Sequence, residues 1–127
     1  MTEEGSLKNA EVFAFLAHEN PRPGQIEMIQ ESTEALRSEG YHLAAAPTGI
    51  GKTAAALAAA LEITQNSTQR KHIFFLTSRQ SQHRIVVDTV RRINQRREGK
   101  IPITLVDMIG QAGMCVQPFA KESSLVF

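Results

Sequence analysis

The sequence is poor in sulfur and in large aromatics, with one cysteine (Cys115), no tryptophan and one tyrosine in 127 residues. A lone thiol cannot close an internal disulfide, which excludes a disulfide-stapled secreted scaffold and fits a reducing compartment. No apolar run approaches the roughly 18 residues of a membrane span, so no membrane partner is expected. The opening stretch MTEEGSLKNAE is acidic and polar, unlike the basic start of a secretory signal or an Arg-rich transit peptide. A soluble, intracellular chain is the expectation. Internal repeats and low-complexity tracts are also missing, apart from one alanine-rich stretch.

What is present is enough apolar material, 42% of residues, for a single packed core. Charge is divided along the chain. Residues 1–69 hold four basic side chains against nine acidic ones, whereas residues 70–100 hold nine basic against two acidic. A local excess of positive charge is a footprint of phosphate-bearing partners, and a solvated Arg-rich helix face explains it equally well.

Apolar periodicity divides the chain into elements. Ser6 can cap a helix through about Glu19 with Val12, Phe13, Leu16 and Ala17 on its apolar face. Pro21 and Pro23 break it. A second helix runs from about Pro23, with Ile26, Ile29 (or Met28) and Leu36 on one side, and stops near Gly40 as a C-terminal cap. Helix 52–64 has no clearly polar face and is expected to lie buried against a sheet. Helix 79–97 packs through Val86, Val90 and Ile93, with Arg84, Asp88, Arg91 and Gln95 opposite. YHLAAA (41–46), HIFFLT (72–77) and ITLVDMI (103–109) read as strands. The order α-α-β-α-β-α-β predicts an α/β fold, a parallel sheet flanked by helices and joined by right-handed crossovers.

The stretch APTGIGKT, residues 46–53, fits the phosphate-binding loop G-x-x-x-x-G-K-[ST], with Ala46 in place of the first glycine. Gly49 and Gly51 allow the backbone to turn successive N–H groups into one concavity, at the positive end of the following helix. Lys52 then supplies a full charge to the β- and γ-phosphates, and the Thr53 hydroxyl can ligate Mg²⁺. Ala46, Pro47, Thr48, Gly49, Ile50, Gly51, Lys52 and Thr53 are therefore the candidate ATP-binding residues, with Lys52 and Thr53 the catalytic pair. The bland alternative is a glycine turn at a strand–helix junction.

RPGQIEMIQ, APTGIGKT, IFFLTSRQSQ and GQAGMCV, in this order, resemble the opening motifs of the XPD/DinG-type superfamily 2 DNA helicases, the iron–sulfur helicases. The likeness covers about residues 20–117. It implies that residues 1–127 are the N-terminal part of a RecA-like first motor domain from a longer protein. Within it, about 20–54 would hold the adenine-sensing segment and phosphate loop, about 72–97 the DNA-contacting motif and basic helix, and about 110–127 the start of an iron–sulfur region. Arg22 and Gln25 match the adenine-sensing positions, although both also suit an ordinary helix start. Thr77, Ser78 and Arg79 match the motif that touches single-stranded DNA, where Ser78 could equally be a helix cap. Cys115 matches the first of four thiolates for a [4Fe–4S] cluster, which one cysteine cannot hold, so the cluster would belong to the full-length protein only. Gln111 stands where that family usually has Arg or Lys.

The resemblance further implies ATP and Mg²⁺ as cofactors, single-stranded DNA and a second motor domain of the same chain as partners, and 5′-to-3′ unwinding in DNA repair or replication. The setting would be cytoplasmic in a prokaryote and nuclear in a eukaryote. Hydrolysis also needs an acidic box that does not occur in these residues, so the chain alone is expected to bind nucleotide weakly and hydrolyse little. Two rival readings remain at this stage. One is a compact phosphate-loop kinase or NTPase using Asp107 as its metal-side acid. The other is a nucleic-acid-binding module whose phosphate loop is inactive.

Overall fold

The computed structural model describes residues 14–114 and 116. Four helices follow one another among them: α1 (Gln25–Arg37), α2 (Lys52–Gln65), α3 (Gln80–Arg96) and a single turn, α4 (Gln111–Met114). Helix α2 is the centre of the packing, with α1 and α3 both lying against it. Its small side chains explain that position. Ala54, Ala55, Ala58 and Ala59 are all buried together with Leu57 and Leu61, so neighbouring elements can approach its backbone closely. Leu16, Ile29 and Ile93, fully buried, fill the space around it, each contributing about 1.5–3 kcal/mol of burial.

Helix α1 differs from its expected face. Its buried residues are Gln25, Ile29 and Thr33, an i, i+4, i+8 row, while Leu36 is exposed. A polar residue heads the buried row because the Gln25 amide has partners inside. At its other end Gly40 is not the left-handed residue; Glu39 is, at φ 54°. The amide of Gly40 reaches Ala35 O at 2.8 Å and that of Glu39 reaches Leu36 O at 3.2 Å, the paired bonds of a Schellman ending.

Helix α3 is amphipathic as its periodicity requires, burying Val86, Val90 and Ile93 together with Thr89. On its outer face Asp88 pairs with Arg84 and Arg91. Near its C-terminal end Arg96 donates to the carbonyls of Leu16 and His18, and Arg97 lies 4.7 Å from the centre of the Phe15 ring. These two arginines pin residues 14–20 to the core. That segment is a turn followed by bends rather than the end of a helix; the rest of the helix expected from Ser6, with Val12 and Phe13, lies outside the described residues.

The parallel sheet is not there. Among the described residues no strand occurs, and the stretches 41–46, 72–77 and 103–109 exchange no backbone hydrogen bonds. The predicted α/β, RecA-like architecture and its crossovers are therefore replaced by a helical packing with extended stretches laid on it. A strand exists only through its ladder, and apolar runs supply burial without supplying that pairing. What survives is a two-residue alternation: Phe74 and Leu76 are 87% and 88% exposed while Ile73 and Phe75 are 37% and 38%. In this second stretch Ile73 and Phe75 form the less exposed edge, and in the third Ile103 and Leu105 pack against the core. The third stretch is held by a side chain instead of a strand: Asn94 of α3 accepts from Ile103 N at 2.8 Å and donates to Ile103 O at 3.0 Å. The first is tied through His42, whose Nδ1 lies 2.8 Å from Ser32 Oγ on α1.

Candidate functional site

Residues 46–53 form a turn that leads directly into α2, with Lys52 as its first helical residue. The two glycines take left-handed conformations, Gly49 at φ 89° and Gly51 at φ 88°, which side chains with a Cβ adopt only with strain. Gly51 is doubly required, because a Cβ there would meet Gln25 Nε2 at 2.5 Å.

Four carbonyls of this arrangement, those of Ala46, Pro47, Gly49 and Gly51, are each occupied by a side-chain donor. Lys52 Nζ bonds Ala46 O and Pro47 O at 2.9 Å each. The Arg22 guanidinium donates to Gly49 O. Gln25 Nε2 donates to Gly51 O at 3.1 Å, and the same carbonyl accepts the first helical bond from Ala55 N at 3.0 Å. Among the described residues, no acceptor takes the N–H groups of residues 48–53. A row of free amides at the positive end of a helix, backed by an ammonium group, is an arrangement that favours negative charge. Thr53 follows Lys52 with its side chain half-buried.

Gln25 is fully buried, and both ends of its amide are used. Its Oε1 accepts from Arg22 N at 3.1 Å while its Nε2 holds Gly51 O. In this arrangement the side chain matched to adenine sensing is a brace for the loop, and Arg22 is its exposed companion. Sequence reasoning missed that role. The signal for it would have been the pairing of a helix-start glutamine with a glycine 26 residues away, which no local pattern encodes.

Thr77, Ser78 and Arg79 lie at a second place, where the stretch 72–77 turns into α3. Thr77 Oγ1 bonds Arg79 O at 3.3 Å, and Arg79 is the N-cap residue of the helix, with no side-chain cap bond. Ser78, an alternative helix cap, therefore makes none here. Among the described residues no hydrogen bond or ion pair links these three to the loop at 46–53. Asp107, the acid of the kinase alternative, points to this second place: its Oδ1 lies 2.6 Å from His83 Nδ1. His83 was not anticipated. Cys115 lies outside the described residues, and among those described no three His, Cys, Asp or Glu residues cluster as a metal site. No helix among them is long and apolar enough to cross a membrane.

Residues 18–108 match the family model described as type III restriction enzyme, res subunit, a superfamily 2 helicase-like domain. The chain belongs to this family. The match takes in Arg22 and Gln25, the loop at 46–53 and the turn at 77–79, so both places described above lie within the res-subunit region. It supports a helicase-like, ATP-dependent activity related to DNA and reaches no further into subfamily. No curated protein and no solved structure matches the chain.

Proposed function

We propose that this res-subunit-family chain carries the nucleotide-binding part of an ATP-dependent DNA helicase resembling the XPD/DinG type, as the N-terminal portion of its first motor domain. One observation carries the reading: the carbonyls of Ala46, Pro47, Gly49 and Gly51 are all held by side-chain donors while the neighbouring amides stay free. ATP is the substrate that fits, since a triphosphate tail offers oxygens along the whole row of amides.

Lys52 would exchange the carbonyls of Ala46 and Pro47 for the β- and γ-phosphates. Arg22 and Gln25 need not move for this, and keep the loop in shape while it happens. The Thr53 hydroxyl would provide one oxygen for Mg²⁺, whose chemistry when bound would be to neutralise charge developing on the phosphates. An acidic box and a second motor domain would come from elsewhere in a longer protein. Thr77, Ser78 and Arg79, within the basic segment 70–100, would meet the backbone of single-stranded DNA. Cys115 is the one thiol in the chain, so these residues do not fit a four-thiolate cluster by themselves, and no step is assigned to one.

The contact of His83 with Asp107 Oδ1 weighs against the kinase alternative, because it competes with a metal for that carboxylate. The inactive-loop alternative has no support in the geometry, with Lys52 and Thr53 both at the head of α2.

Lys52→Ala tests the proposal. Binding of a fluorescent ATP analogue should weaken by on the order of tenfold or more, since a charged contact to phosphate is removed, and ATP hydrolysis stimulated by single-stranded DNA should be lost in the longer protein. Nucleotide affinity unchanged by the substitution, or hydrolysis indifferent to DNA, would overturn it.

A further inference from the structure

We infer that His83 and Asp107 form a positioning pair that fixes the Thr77–Arg79 turn for its contact with a nucleic-acid backbone, an inference that rests on the DNA reading of that turn. The turn has little else to hold it. Helix α3 begins without a side-chain cap bond and without an acidic residue in its first turn. Its local bonds, Thr77 Oγ1 to Arg79 O and Gln82 N to Arg79 O, stay within six residues and fix shape rather than place. Apolar anchoring begins at Val86, the first buried residue of the helix.

Between that anchor and the turn stands His83. Its bond to Asp107 is, among the described residues, the one hydrogen bond that joins residues 77–83 to a distant part of the chain. At 2.6 Å across 24 residues it ties the start of α3 to the third extended stretch, which Asn94 already holds to the same helix about three turns further on. Two ties fix the orientation of the stretch where one would let it pivot.

The chemistry suits this task better than catalysis. Asp107 is an acceptor, so Nδ1 of His83 carries the shared proton and the ring is locked in one orientation. No described Ser or Thr hydroxyl bonds His83 as a nucleophile would. Thr77, His83 and Asp107 instead line one cleft of about 970 Å³ between α2, α3 and the extended stretches. Holding the carboxylate on the imidazole also keeps a bare negative charge from facing an incoming phosphate.

The experiment measures binding of a fluorescein-labelled single-stranded oligonucleotide by anisotropy on the whole 127-residue chain, with a fluorescent ATP analogue titrated in parallel. His83→Ala and Asp107→Ala should each weaken oligonucleotide binding about three- to tenfold and leave nucleotide affinity unchanged, and the double variant should be no weaker than either single one. Asp107→Asn should retain most of the affinity, because its amide oxygen still accepts from Nδ1. Unchanged oligonucleotide affinity, additive losses, or an equal loss of nucleotide affinity would overturn the inference. Should the wild-type chain bind no oligonucleotide while still binding nucleotide, the DNA reading of the turn fails and the pair's role goes with it.

Discussion

The Gln25 amide lies 3.1 Å from the Gly51 carbonyl and occupies the space that a Cβ on Gly51 would need. Two residues 26 positions apart in the chain thus define each other: the glycine makes room for the amide, and the amide holds the glycine's carbonyl in place.

Removing the amide should therefore loosen the loop as well as the fold. Gln25→Ala takes away two hydrogen bonds at a fully buried position and is expected to lower stability by about 1–3 kcal/mol, read as a lower urea midpoint. Nucleotide affinity should fall with it. Gln25→Glu should be worse, since a carboxylate oxygen would then face the Gly51 carbonyl.

Gly51→Ala meets two obstacles, a positive φ and an occupied space. A loss of roughly 2 kcal/mol or more is expected from denaturant unfolding. Gly49→Ala meets only the first, because nothing lies within 4 Å of its added Cβ, and should lose about 1 kcal/mol. A larger loss at Gly49 than at Gly51 would contradict the brace.

Glu39 is the reverse case, a side chain standing where a glycine is favoured. Glu39→Gly relieves the left-handed strain at the end of α1 and should stabilise the protein by about 0.5–1 kcal/mol, a thermal midpoint several degrees higher.

Asn94 is expected to govern the third extended stretch. Asn94→Ala removes both bonds to Ile103, which should reduce stability by about 1–2 kcal/mol and speed hydrogen exchange at the Ile103 amide more than at buried positions of α2.

How far the sequence could be read depends on the range of the interactions concerned. Helices α1, α2 and α3 were legible within a residue or two because their periodicity, their prolines and their glycines act locally. So was the loop at 46–53, whose glycine spacing and Lys-Thr pair carry their own geometry. The sheet was misread because HIFFLT and ITLVDMI declare burial, while a ladder depends on partners elsewhere, and here Asn94 takes the partner's place for Ile103. The face of α1 was misjudged by counting only apolar residues, Ile26, Ile29 and Leu36, so that Gln25 and Thr33 were left out of the buried row; the place of Gln25 inside depends on Gly51. Glu39 in the left-handed region and the meeting of His83 with Asp107 have no local signature at all.

The self-satisfied state of Lys52 sets a threshold on what the loop will accept. Its ammonium already rests on the Ala46 and Pro47 oxygens, so an incoming anion gains only the difference between two sets of contacts. On the proposed ATP reading, inorganic phosphate, reaching few of the amides beyond, would gain a small surplus, whereas a chain of three phosphates would gain along the whole row. The loop would then discriminate by ligand length, disfavouring the short anions that a cell holds in excess.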